Sequence, residues 1–149
     1  MKKKLIILTG PTAVGKTDLS IRLARTVGGE IISADSMQVY RRMDIGTAKI
    51  RPEEMDGVRH HLIDILEPTE SFNAFLFKEY ALKAANEIWE RGSIPIIVGG
   101  TGFYIQTLLY DIEFAKSDEN DGIRDELNKL YEEHGAAFLH DMLAKVDPE

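Results

Sequence analysis

Three short runs rich in isoleucine, leucine and valine lie within the first 100 residues, at positions 5–9, 30–33 and 94–98. Small or polar residues follow each run, as is typical of buried strands in a parallel sheet. Amphipathic stretches at 16–27 and 72–91 lie between them and predict helices. This alternation predicts an α/β fold with a parallel sheet, flanking helices and right-handed crossovers.

Weaker patterns fill the remaining part of this region. Residues 34–59 show little periodicity and predict a long irregular connection, of a kind that is often functional. Residues 61–66 predict a short strand, and a glycine-rich turn at 99–102 leads into a short helix through residue 108. The helix at 72–91 is expected to bury one apolar face, formed by Phe75, Leu76, Ala81, Leu82, Ala85 and Ile88.

The chain becomes more polar and acidic after residue 110. Residues 115–122 predict an acidic linker, and apolar spacing at 123–134 and 136–145 predicts two helices, each with one buried face. Those faces contain Ile123, Leu127, Leu130, Tyr131, Phe138, Leu139, Met142 and Leu143. We therefore predict an α/β catalytic core at 1–114 and the start of a helical insert subdomain at 115–149. Because these helices have few partners, we expect the chain to be a fragment.

Composition narrows the possible classes of protein. The 149 residues contain no cysteine, which excludes a disulfide framework and a cysteine-ligated zinc site and favours a reducing cytoplasm. No stretch approaches the roughly 18 apolar residues of a membrane span. The net charge is -7, and residues 111–149 hold twelve acidic and four basic side chains. Global charge thus argues against a nonspecific nucleic-acid binder, although residues 41–61 carry five arginines or lysines among acidic residues.

The strongest chemical motif follows the first predicted strand. It fits the G-x-x-x-x-G-K-[ST] pattern of a P-loop and precedes a predicted helix, as phosphate binding requires. Glycines let the backbone wrap around phosphate oxygens, Lys16 adds a full positive charge, and Thr17 is expected to contact Mg²⁺. The motif consists of Gly10, Pro11, Thr12, Ala13, Val14, Gly15, Lys16 and Thr17.

Two further loops are expected beside the P-loop, since ligands of open α/β folds bind at the carboxyl edge of the sheet. Asp35 follows the second strand and suits either water-mediated metal contact or a general base, with a turn-capping aspartate as the alternative. Thr101 follows the 94–98 strand and suits a hydrogen bond to substrate or phosphate, with a tight turn as the alternative. No Walker-B aspartate ends that strand, which argues against a nucleotide-hydrolysing switch.

Histidine and aromatic residues invite other assignments. The adjacent His60 and His61 should point to opposite faces of an extended segment and lack a spaced partner, so we do not assign them to a metal. Trp89, Tyr104 and the phenylalanines at 72, 75 and 77 fall on helical spacing, which favours core packing over stacking platforms.

The motifs together are more informative than any one of them. GPTAVGKT at 10–17, SADSMQVY at 33–40, MDIGTAK at 43–49, HHL at 60–62 and VGGTGFY at 98–104 closely resemble the tRNA dimethylallyltransferases, also called tRNA isopentenyltransferases. The resemblance runs from end to end, although family members are about twice this length. It implies a P-loop NTPase-like fold, Mg²⁺, a cytoplasmic monomer, and dimethylallyl transfer from dimethylallyl diphosphate to N6 of the adenine 3′ to the anticodon, position 37 of tRNA.

The resemblance also implies roles for individual residues. The P-loop, usually associated with ATP, would hold the diphosphate leaving group, with Lys16 and Thr101 stabilising its growing charge. Asp35 would accept the proton from adenine N6. The tRNA contacts implied by position are Asp35, Ser36, Met37, Gln38, Thr101 and Arg124.

Two other functions remain open from the residues alone. A small-molecule or nucleoside kinase would hold ATP in the same P-loop and use Asp35 to activate a hydroxyl, although lid arginines are missing. A noncatalytic tRNA-binding or nucleotide-binding module would tolerate replacement of Asp35 by alanine.

Overall fold

A computed structural model describes residues 3–112, 114 and 121–148. The chain divides into two compact units, Met1–Glu113 and Phe114–Glu149. The first unit contains four strands, β1 (Ile6–Thr9), β2 (Gly29–Ser33), β3 (His60–His61) and β4 (Ile94–Gly99). Its helices are α1 (Lys16–Val27), α2 (Ala74–Glu90) and α3 (Gly102–Leu109), with a 3-10 turn at Pro52–Met55.

The four strands form one parallel sheet in the order β1-β4-β2-β3. One row of the register runs Ile6, Ile96, Ile31 and His60. The predicted α/β class with a parallel sheet is therefore confirmed. Because β2 and β4 have neighbours on both sides, their isoleucines form the buried centre of the sheet, whereas the edge strand β1 is only half-buried. The expectation that the run at 5–9 forms a buried strand was wrong for β1, none of whose residues is fully buried.

Left-handed glycines mark both ends of α1. Gly15 precedes the helix with a φ of 84° and Gly28 follows it with a φ of 66°, conformations that cost glycine little because it has no Cβ. The helix buries Ser20, Ile21 and Ala24 against the sheet. Gly15 fixes where α1 starts, inside the P-loop motif, and Gly28 fixes where the helix ends.

The buried face of α2 differs from the predicted one. Asn73 caps the helix by accepting a hydrogen bond from the amide of Leu76 at 2.9 Å. Phe75 and Leu82 are 45% and 40% exposed, so their assignment to the core face was wrong. The face of α2 that packs on the sheet is rich in alanine, whose small side chain allows a close approach. The buried residues are Ala74, Phe77, Ala81, Ala84, Ala85 and Ile88.

The strand predicted at 61–66 is shorter than expected. Leu62 and Asp64 have φ values of 62° and 55°, in the left-handed region, and this backbone ends β3 at His61. The following segment instead lies beside residues 38–41, where the Ile65 amide donates to the carbonyl of Val39 at 2.9 Å. Backbone hydrogen bonds thus hold part of the predicted irregular connection at 34–59 against residues 64–66.

The second unit is helical from Asp121 to Val146, with a break at Gly135, whose φ is 78° and ψ is 177°. The break lies between the two predicted helices. Their expected buried faces were wrong: Ile123, Tyr131 and Leu143 are 55%, 54% and 60% exposed. The described part of this unit holds no other element to cover them. The linker predicted at 115–122 lies largely outside the described residues, and assignment of the unit to tRNA binding stays a prediction.

Among the described residues, none of the helices combines the length and apolar character needed to cross a membrane.

Candidate active site

A cleft of about 670 Å³ lies at the carboxyl edge of the sheet. The P-loop, the β2 end and the β4 end all contribute to its wall, as expected for an open α/β sheet. Of the predicted P-loop residues, Val14 does not line this cleft, and neither do Ser36 and Met37 from the next loop. The predicted site residues that line it are Gly10, Pro11, Thr12, Ala13, Gly15, Lys16, Thr17, Asp35, Gln38 and Thr101.

The P-loop backbone is shaped for an anion. Ala13 and Gly15 have φ values of 65° and 84°, and such turns direct successive amide groups toward a common point. The α1 N-terminus adds the partial positive charge of the helix dipole. The Lys16 ammonium donates to the carbonyl of Gly10 at 2.8 Å and to that of Pro11. The loop therefore concentrates donors and positive charge on one wall of the cleft.

Asp35 forms the turn cap that the sequence offered as the alternative to metal contact or a general base. Its Oδ1 accepts hydrogen bonds from the amides of Met37 at 2.8 Å and Gln38 at 3.0 Å, which is a turn cap. Asp35 also lines the same cleft as the P-loop. Among the described residues, no hydrogen bond reaches Oδ2. One carboxylate oxygen thus fixes the loop.

Thr17 and Thr101 lie on the same cleft as Asp35. Thr101 precedes α3, and its side chain makes no capping hydrogen bond there. Among the described residues, no three acidic or histidine side chains are grouped so that they could hold a metal ion. Mg²⁺ commonly takes one or two protein oxygens together with substrate phosphates. The Thr17 hydroxyl and the Asp35 carboxylate fit that donor set.

A second cavity, of about 690 Å³, borders the first. Its wall includes Met37, Met43 and Ile45, and the Ile45 side chain is 97% exposed at the tip of the loop. Both cavities are lined by Thr12, Asp35 and Thr47. Asp35 therefore lies on the boundary between the P-loop cleft and a more apolar cavity.

The two histidines point in different directions, as their alternation predicted. His60 lines the cleft and its Nδ1 lies 2.9 Å from the carbonyl of Val58. Burial lowers the pKa of His60, and the charge of His61 lowers it further, although the Val58 carbonyl opposes this. His61 instead contacts Glu30 at 2.7 Å on the other side of the strand. His60 is thus favoured as a neutral ring in the cleft wall.

The predicted aromatic core forms only in part. Phe77 is fully buried and stacks on Tyr104, with the ring centroids 4.7 Å apart. Burial raises the pKa of Tyr104, and the nearby Tyr40 and Asp35 raise it further. Tyr104 therefore joins the core to the site, whereas Phe75 is exposed.

Sequence reasoning gave no role to several residues near the site. Ser33, Thr47 and His60 line the cleft, and Lys49 lies buried behind it. Thr47 and Lys49 belong to a recognised motif, yet only the folded loop shows what they contact. Arg124 belongs to the second unit, where it is exposed.

Comparison with known proteins decides the family. A family model described as IPP transferase matches residues 38–149. The chain belongs to the IPP transferase family. A tRNA dimethylallyltransferase of Lachnoclostridium phytofermentans is 61% identical to it over 97% of this chain and 46% of that protein. One of Bacillus licheniformis is 54% identical over 99% of this chain and 47% of that protein.

Solved structures of IPP transferase relatives agree with the fold. The full-length tRNA isopentenylpyrophosphate transferase from Bacillus halodurans matches with a TM-score of 0.76 at 50% identity, over 99% of this chain and 49% of that one. A eukaryotic dimethylallyltransferase acting on tRNA matches with a TM-score of 0.84 at 38% identity, over 99% of this chain and 36% of that one. The predicted P-loop NTPase-like fold is confirmed, and the chain spans about half the length of the bacterial relatives it matches.

Proposed function

We propose that this chain supplies the diphosphate-binding and proton-accepting half of a tRNA dimethylallyltransferase. The reaction transfers a dimethylallyl group from dimethylallyl diphosphate to N6 of the adenine 3′-adjacent to the anticodon, position 37 of tRNA. The observation that carries this proposal is that Asp35 lines both the cleft of the P-loop and the more apolar cavity beside it. Named relatives of the same family perform this class of transfer.

The P-loop holds the leaving group. The diphosphate lies on the loop amides and the α1 N-terminus, where the Lys16 ammonium leaves its contacts with the Gly10 and Pro11 carbonyls for phosphate oxygens. Lys16 and the Thr101 hydroxyl stabilise the charge that grows on the diphosphate as its bond to carbon breaks. These contacts strengthen in the transition state, which is where they accelerate the reaction.

Asp35 accepts the proton. N6 of the adenine forms a bond to the first carbon of the allyl group, the bond between that carbon and the diphosphate oxygen breaks, and the diphosphate departs with the electron pair. The N6 proton passes to Oδ2 of Asp35. Because Oδ1 is fixed by the Met37 and Gln38 amides, the carboxylate is held in place for this transfer.

The tRNA approaches on the side of the second cavity. The loop of Asp35, Ser36, Met37 and Gln38 contacts the nucleotide, and Thr101 borders it from the β4 end. Arg124 of the second unit is assigned to tRNA contact by the resemblance alone. A base must leave its stack to reach Asp35, and a cavity with an apolar wall suits a flipped base. The enzyme acts as a monomer in the cytoplasm, where tRNA is available.

The Thr17 hydroxyl would hold Mg²⁺ together with the diphosphate, and Asp35 would contact the ion through water. A bound Mg²⁺ supplies neutralisation of the diphosphate charge. The side chains of this chain do the remaining work of orienting the diphosphate and accepting the proton.

Calorimetric titration of this chain in Mg²⁺ tests the substrate assignment. Dimethylallyl diphosphate, ATP and inorganic diphosphate are titrated separately, first into the wild-type chain and then into Lys16→Met. We expect the allylic diphosphate to bind more tightly than ATP, and Lys16→Met to weaken it. Tighter binding of ATP would support a kinase instead. Absence of binding by a chain that unfolds cooperatively would contradict the assignment of the site to this half.

A further inference from the structure

Lys49 is the most deeply buried charged side chain among the described residues, with 4% of its side chain exposed. Its ammonium contacts three oxygens: the carbonyl of Tyr40 at 2.6 Å, Oδ1 of Asp44 at 2.7 Å and Oδ1 of Asp64 at 2.5 Å. Burial opposes the charge, but the hydrogen bonds with the two carboxylates outweigh it, so the pKa of Lys49 is raised above 10.5. A lysine ammonium has three donors, and all three are used.

These contacts join segments that are distant in sequence. Tyr40 and Asp44 lie in the irregular connection after β2, and Asp64 lies on the segment after β3. The loop is also strained, because Arg42 and Ala48 have φ values of 65° and 47° without being glycine. A conformation of this kind persists only where surrounding contacts determine it. The ammonium supplies such contacts from inside the loop.

The loop leads directly to the catalytic carboxylate. The Thr47 carbonyl accepts a hydrogen bond from the side-chain amide of Gln38 at 3.1 Å, and the backbone amide of Gln38 donates to Asp35. Thr47 also lines both cavities beside Asp35. Movement of the 43–48 loop would therefore release Gln38 and alter the wall on which Asp35 sits.

We propose that Lys49 is a positioning residue that clamps the 43–48 loop and thereby holds Gln38 and Asp35 in place for transfer. The catalytic consequence of this clamp rests on the proposed function, whereas the clamp itself rests only on the contacts of Lys49. Lys49 touches no substrate, since its ammonium is enclosed by Tyr40, Asp44 and Asp64. It controls the acceptor side of the site and leaves the P-loop unchanged.

Amide hydrogen exchange in this chain tests the clamp directly. Lys49→Met keeps the length of the side chain and removes its charge. We expect the amides of Ala48 and of residue 49, which donate to Ile45 and Asp44, to exchange at least about tenfold faster, while the sheet amide of Ile31 keeps its rate. Unchanged exchange at residues 48 and 49 would overturn the clamp whatever the reaction proves to be.

A second variant separates positioning from simple charge neutralisation. Lys49→Met leaves two carboxylates facing each other, and adding Asp64→Asn removes their repulsion. A positioning role predicts that the double variant regains thermal stability but keeps fast exchange at residues 48 and 49. Recovery of wild-type exchange in the double variant would overturn it. If Lys49→Met does not fold, Asp44→Asn alone must still loosen these amides, and wild-type rates there would overturn the clamp.

Kinetics link the clamp to catalysis. The assay uses a chimera in which this chain replaces the matching 46% of the Lachnoclostridium phytofermentans relative. Lys49→Met should lower kcat about 10- to 100-fold, because small misplacements of reacting groups cost that much. The KM for dimethylallyl diphosphate should stay within about twofold, since this variant leaves the P-loop intact. An unchanged kcat, or an equal loss through KM for the diphosphate, would overturn the positioning role.

Discussion

Gly99 at the end of β4 leaves no room for a side chain beside Ala34 at the end of β2. A Cβ at residue 99 would lie 2.3 Å from the carbonyl oxygen of Ala34 and 2.8 Å from its Cβ. The Ala34 amide donates to the carbonyl of Val98 at 2.8 Å, so the two strands are held at this spacing. The close approach brings Asp35 and Thr101 onto one cleft.

Gly99→Ala should destabilise the first unit by about 3 kcal/mol, because the clash is with backbone that cannot move without breaking the sheet. Urea unfolding of the chain, followed by circular dichroism, measures this. Gly46→Ala is the matched control, since a Cβ there meets nothing within 4 Å, and it should change the free energy of unfolding by less than about 1 kcal/mol. Equal stability of the two variants would contradict the close approach.

Lys16→Met should weaken binding of dimethylallyl diphosphate about 30-fold, because one charge-assisted hydrogen bond contributes about 2 kcal/mol. Calorimetry on this chain provides the dissociation constant. Lys83→Met removes an exposed ammonium from α2, away from the cleft, and serves as the control. If both variants bind as the wild type does, the P-loop lysine does not hold the diphosphate.

Glu30→Gln should lower stability at neutral pH and lose its effect in acid. The Arg91 guanidinium, followed by His61, holds the pKa of Glu30 below its ordinary 4.5, although burial opposes this. A depressed pKa stabilises the fold above pH 4.5, and this contribution is lost as the pH falls through the folded-state value. Unfolding measured between pH 7 and pH 3 should show the gap between wild type and variant closing.

Glu79→Gln provides the reference for that series, since Glu79 is an exposed carboxylate on α2. It should change the free energy of unfolding at pH 7 by less than about 0.5 kcal/mol. A gap between wild type and Glu30→Gln that stays constant from pH 7 to pH 3 would show that the contacts with Arg91 and His61 do not depend on the carboxylate charge.

Local signals were sufficient to predict three of the four strands, all but β3. The strand runs, the P-loop and the glycines that end α1 are each specified by neighbouring residues, and the structure has them where expected. The apolar face of α2 was not predictable in this way. Phe75 and Phe77 are equally apolar, and only the close approach of the alanine-rich face to the sheet decides that Phe77 is buried.

The same distinction between local and long-range signals holds for the site. The P-loop and Asp35 are placed by strand ends, so their proximity follows from topology alone. The enclosure of Lys49 depends on Asp64, fifteen residues further along the chain, and on a left-handed backbone at Ala48. Long-range contacts of this kind leave no periodic trace in the sequence.

The role of Asp35 as proton acceptor is tested most directly by Asp35→Asn in the chimera with the Lachnoclostridium phytofermentans relative. Asparagine keeps an oxygen for the Met37 and Gln38 amides, so the turn survives while the base is removed. We expect kcat for dimethylallyl transfer to tRNA to fall about 100- to 10,000-fold, with dimethylallyl diphosphate binding retained. Transfer at the wild-type rate would contradict this role.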